Sequence, residues 1–72
     1  MEIFMSLHAV EQARERGISI NEIKEVIQKG AKFPQDEEKT VSIYRHIKVI
    51  SKKVNGKYFV ITVMIRKEEN GK

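Results

Sequence analysis

Seventy-two residues with 33% charged side chains and no cysteine make one small domain and exclude a disulfide framework or a thiolate zinc site. A chain of this length buries only about 60% of the surface it exposes when unfolded, so its core is thin and a second domain has no room. The formal charge of +4 is sorted: residues 1–38 hold eight acids against five bases, whereas residues 39–67 carry eight bases and no carboxylate.

The opening Met1-Glu2-Ile3-Phe4-Met5 is too short and too acidic for a signal peptide, and no later segment approaches the length of a membrane span. With cysteine absent, this points to a cytoplasmic protein without a membrane partner. Ser6 before an apolar-periodic run and Gly17 after it predict a first helix over about 7–16. Ser19-Ile20-Asn21-Glu22 is a capping box, Ile18 is placed to staple onto Ile23, and Gly30 closes a second helix. Ile20, Ile23, Val26 and Ile27 form one apolar stripe, so this helix lies on a core. Only Gly17-Ile18 separates the two, which predicts a helical hairpin or corner over about 7–29.

After Phe33-Pro34 the run Gln35-Asp36-Glu37-Glu38 reads as a polar loop, and β-branched and aromatic residues then take over. Strands are expected over about 40–45, 47–54 and 58–66, the last two joined by Asn55-Gly56 in a type I′ hairpin. The tail from 68 to 72 is expected to fray. Two-residue closure sets Lys52 opposite Phe59, Ile50 opposite Ile61 and Lys48 opposite Val63 on one face. Lys53, Ser51, Val49 and Ile47 then face Tyr58, Val60, Thr62 and Met64 on the other. The unbroken apolar run in the last strand predicts a central strand, covered by the helices on one side and by a second subunit or partner on the other. The fold class is therefore α+β, a single domain with two N-terminal helices packed on an antiparallel sheet of three to four strands at about 40–66.

On a helical wheel His8, Gln12, Glu15 and Arg16 cluster opposite Ala9, Val10 and Ala13. Such a face offers an acid or base, an amide and a phosphate clamp, and equally reads as a solvated helix face. Arg16 also suits the helix dipole. In the sheet, Tyr44-Arg45-His46-Ile47-Lys48 supplies a ring for stacking and bases for a phosphate backbone, the equipment of single-stranded RNA binding. The plainer accounts are an edge aromatic for Tyr44 and a turn residue for His46. Thr62 is a mid-strand hydroxyl able to orient a phosphate, or an ordinary strand threonine. Lys52 and Lys53 most simply protect an edge or keep the protein soluble, and Lys52 is also a candidate for RNA contact. No phosphate-binding glycine loop, HExxH pair or paired carboxylates are present, and two histidines do not make a metal site, so neither cofactor nor metal is expected.

His8-Ala9, then Glu15-Arg16-Gly17-Ile18-Ser19, a second amphipathic helix, a strand with Tyr44 and a final Val60-Ile61-Thr62-Val63 together resemble the family known as domain of unknown function 4258. The resemblance spans about residues 8–65. It implies the barnase, EndoU, colicin and RelE ribonuclease-like fold group, often met in toxins. It gives His8, Arg16, Tyr44 and Thr62 as a catalytic set. Many relatives place a base one turn after the histidine, where this chain has Gln12, so one phosphate contact is missing. The expected function is a metal-independent ribonuclease or ribonuclease-like toxin. His8 would take the ribose 2′-hydroxyl proton, Arg16 would stabilise the transition state, and Gln12, Arg45, His46, Lys48 and Lys52 would hold RNA. The alternatives are a non-catalytic RNA-binding module, and an interaction protein that pairs with a second copy or an antitoxin-like partner.

Overall fold

Local signals set the two helices. Residues 2–66 are described by the computed structural model; Met1 and residues 67–72, with Lys67 and the tail expected to fray, lie outside the described residues. Strand β1 (Ile3–Met5) leads through Ser6 into helix α1 (Leu7–Arg16), where the Ser6 hydroxyl accepts the Ala9 N–H at 3.0 Å. Gly17, at φ +68°, ends α1 in the left-handed region. There Ile18 N–H donates to Ala13 C=O and Gly17 N–H to Arg14 C=O, the paired bonds of a Schellman cap. Helix α2 (Ile20–Lys29) starts on the expected capping box: Glu22 N–H reaches the Ser19 hydroxyl at 3.1 Å and Ser19 N–H the Glu22 carboxylate at 2.8 Å. Ile23, Val26 and Ile27 are buried, while Ile20, expected in the same stripe, is 46% exposed.

Four more strands follow: β2 (Ala31–Pro34), β3 (Lys39–Tyr44), β4 (Ile47–Val54) and β5 (Lys57–Ile65). They form one five-stranded sheet in the order β1-β5-β4-β3-β2. The α+β class holds, but the sheet is larger than the three to four strands expected and is mixed, because β1 runs parallel to β5. The N-terminal strand and β2 are short, and β2 ends on a proline, so neither carries a strand-length pattern in sequence. Gly30, between α2 and β2, is extended at φ −75° rather than left-handed. Its requirement is space, since a Cβ there would come within 2.6 Å of the Ile43 carbonyl oxygen.

The Asn55-Gly56 turn has both residues at positive φ, 52° and 76°, as a type I′ hairpin requires. The pairs Lys52 with Phe59 and Ser51 with Val60 then follow, but beyond them the expected register fails. Ile50 pairs with Thr62, not Ile61, and Lys48 with Met64, not Val63. A β-bulge at Ile61 inserts one residue into β5 and reverses the facing of everything after it. This places Val60 and Val63, both fully buried, together on the helix side. They join Ala9, Ala13, Ile18, Ile23, Val26, Ile27, Ile47 and Val49 in the core. Burying a Val or Ile side chain is worth about 1.5–3 kcal/mol, so seating both valines in the core repays a local break in the ladder.

Beyond Met5, α1 takes over from β1 along the edge of β5. Ser6 N–H donates to Val60 C=O at 2.9 Å, its hydroxyl to Ile61 C=O at 3.1 Å, and Gln12 Oε1 accepts the Val63 N–H at 2.9 Å. Main-chain groups that the bulge and the short β1 leave without a strand partner are thus met by the Ser6 N–H and by the Ser6 and Gln12 side chains.

Candidate nucleic-acid interface

Strand alternation divides the sheet into a face covered by the helices and an open face. Ser42, Ile47, Val49, Ser51, Val60 and Val63 are buried on the first. Phe4, Lys39, Val41, Lys48, Ile50, Lys52, Phe59, Thr62 and Met64 share the second, none of them fully buried. Lys48 and Lys52 therefore lie on one face as expected, and Lys53 lies on the other with its ammonium 5.6 Å from the centre of the Tyr58 ring.

The four residues given a catalytic role by resemblance are divided. Thr62, paired with Ile50, is on the open face. Tyr44 packs against the helix-side core, and the Arg45 guanidinium sits 5.2 Å from its ring centre. His8 and Arg16 are exposed on α1, one turn before and one turn after Gln12. Arg16 donates to the Gln12 C=O at 3.4 Å and lies 3.8 Å from the Glu15 carboxylate. None of the three principal cavities is lined by His8, Arg16, Tyr44 or Thr62. Gln12 was expected on a solvated, RNA-facing surface. Its amide oxygen is instead committed to the Val63 N–H, because the helix face that looked polar by periodicity runs along the edge of β5.

Charge is sorted in space differently from the sequence. At the end of the sheet near Asn55-Gly56 the acids of the N-terminal part return to the lysines: Lys57 lies 3.6 Å from Glu2, Lys52 3.4 Å from Glu38 and Lys39 3.6 Å from Asp36. Asp36 also accepts the N–H groups of Glu38 and Lys39 at 2.8 Å each. These bonds, Glu38 first, with the Lys39 ammonium beside them, hold its carboxyl below its ordinary pKa. Lys52 is thus already paired, which weakens its expected role toward RNA.

The opposite end is different. Arg45 and His46 form the two-residue turn between β3 and β4, and His46 C=O accepts the Arg66 N–H, which draws Arg66 beside that turn. Lys48 lies on the open face one residue into β4. Among the described residues no carboxylate pairs with Arg45, Lys48 or Arg66. Arg16 is carried toward the same end, since one helical turn past Gln12 advances about 5.4 Å, close to the two strand residues from Val63 to Ile65. Arg45 has φ +57°, a position where a turn of this length favours glycine.

A family model described as Domain of unknown function (DUF4258) matches residues 5–65. The chain belongs to that family. No curated protein and no solved structure matches it. The DUF4258 match takes in α1 through β5 and leaves Ile3 and Phe4 of β1 outside. Among the described residues no group of three or more His, Asp or Glu side chains is placed to hold a metal ion. No helix there is long and apolar enough to cross a membrane.

Two features of this surface were missed in the sequence. Phe4 escaped notice because its pairing with Phe59 is parallel and joins the two ends of the chain. In sequence Arg66 is one base among eight, and its backbone bond to His46 makes it part of the turn cluster. The Asn55-Gly56 hairpin did signal Phe59 beside Lys52.

Proposed function

We propose that the protein binds single-stranded RNA along the open face of its sheet, with phosphates held at the end formed by Arg45, His46, Lys48 and Arg66. The observation that carries this reading is that among the described residues no carboxylate pairs with Arg45, Lys48 or Arg66 at that end, against the ion-paired lysines of the other. A flat sheet face bearing aromatic and lysine side chains suits a strand whose bases are splayed out. It offers no projecting element to enter a duplex groove. Division of His8, Arg16, Tyr44 and Thr62 between α1 and the two sheet faces favours binding without cleavage over the ribonuclease reading.

Fluorescence anisotropy with a short labelled oligouridylate over a salt series tests this. Each neutralised phosphate on a single strand contributes about −0.7 to the slope of log K against log salt, so three to four contacts give about −2 to −3. Lys48→Ala and Arg66→Ala are each expected to flatten the slope by about 0.7. Affinity indifferent to salt would overturn the proposal. RNA shortened by the wild type and spared by His8→Ala would replace it with the nuclease.

A further inference from the structure

The open face has a second feature, at the end away from the phosphate cluster. Phe4 and Phe59 are register partners on adjacent parallel strands, so their rings stand side by side, and they are 49% and 38% exposed. Val54, also largely exposed, closes the group from β4. With Asn55 and Lys57 they bound a hollow of about 240 Å³. An apolar cavity of about 150 Å³ accommodates benzene, so this one has room for a larger planar ring. The Lys57 ammonium stands 5.7 Å from the centre of the Phe4 ring and 3.6 Å from the Glu2 carboxylate, an exposed pair that a stronger anion can displace.

We infer that this hollow is a stacking subsite for one unpaired base of the strand held at the Arg45–Arg66 end, with Lys57 taking that nucleotide's phosphate. The inference rests on the proposed RNA binding and adds a base-recognition element to it. Phe59 lies on β5 and Arg66 directly follows the strand's last residue, Ile65, seven positions on or about 23 Å at strand spacing, so one extended chain of nucleotides can run between the two points. Charge decides the occupant. A second copy seated on this face would bury both sets of Lys39, Lys48, Lys52 and Lys57 in one interface, whereas a polyanion meets Lys48 directly and can exchange for the exposed carboxylate partners of the other three. Charged side chains are also depleted from the centres of protein interfaces, where desolvating them is costly.

The probe is a short oligouridylate carrying one 2-aminopurine, whose fluorescence falls on stacking. Binding by the wild type is expected to quench it. Phe59→Leu and Phe4→Leu keep an apolar side chain at exposed positions; each is expected to lose most of the quench and to weaken binding about tenfold. The salt slope stays unchanged. Quenching by both variants equal to the wild type, with binding intact, would overturn the subsite and leave the phosphate end standing. No binding at all would remove both. Absent quench together with a dimer in sedimentation that Phe59→Lys dissociates would give the hollow to a second copy and overturn the inference.

Discussion

Arg45 is the residue at which local preference and placement disagree. Only this one of the two turn residues between Tyr44 and Ile47 has a positive φ, and the left-handed region costs a non-glycine residue about 1–2 kcal/mol. The guanidinium over the Tyr44 ring returns about 0.5–1 kcal/mol at an exposed site, which does not cover that cost. A side chain kept against its own backbone preference points to a use outside the fold. Arg45→Gly is therefore expected to leave stability unchanged or raise it by up to about 1 kcal/mol in urea unfolding. The same variant should bind oligouridylate more weakly and flatten the salt slope by about 0.7. A clear loss of stability would show instead that the arginine serves the turn itself. The run Tyr44-Arg45-His46 was legible in the sequence as equipment for a phosphate; the strain was not, because nothing in residue identity reports φ.

At the scale of elements, whatever depends on near neighbours could be read ahead. The Ser6 and Ser19 caps, the Gly17 termination and the Asn55-Gly56 hairpin are each decided within a few residues, and each is formed. Strand β1 could not be read in this way, since three residues carry no period and their partners lie at the far end of the chain. The bulge at Ile61 was hidden for another reason: strict alternation is the only pattern a sequence offers, and the departure from it is set by tertiary contacts with α1. Gln12 is central to those contacts. Replacing it with leucine leaves the Val63 N–H without its acceptor, at a cost of about 1–3 kcal/mol. Gln12→Glu retains an acceptor oxygen and is expected to lose less than half as much. For a domain of this size each kcal/mol corresponds to about 4–8 °C in Tm, so thermal melts resolve the pair. Equal losses in the two variants would mean that the contact is packing rather than a hydrogen bond.

The charge of the whole molecule was legible in amount and not in arrangement. Eight bases without a carboxylate in residues 39–67 mark a basic sheet whose charge is split between two faces, but folding also brings Glu2, Asp36 and Glu38 onto Lys57, Lys39 and Lys52. Among the described residues, which span about 42 Å, one sheet end is ion-paired and Arg45, Lys48 and Arg66 at the other have no carboxylate partner. Exposed pairs of this kind contribute at most about 1 kcal/mol to stability, so they can be removed with the fold intact. Their effect on the surrounding field is larger, because each acid cancels a lysine that faces the proposed strand. The double variant Glu2→Gln and Glu38→Gln is therefore expected to unfold within about 1 kcal/mol of the wild type. It should bind oligouridylate several-fold more tightly at low salt, with a slope steeper by up to about 0.7 as Lys52 gains a phosphate contact and Lys57 no longer has Glu2 to displace. Raising the ionic strength toward 1 M shortens the screening length to about 3 Å and should bring the two proteins together. Unchanged low-salt affinity would place the RNA wholly at the Arg45–Arg66 end and confine the sheet's role to those few residues.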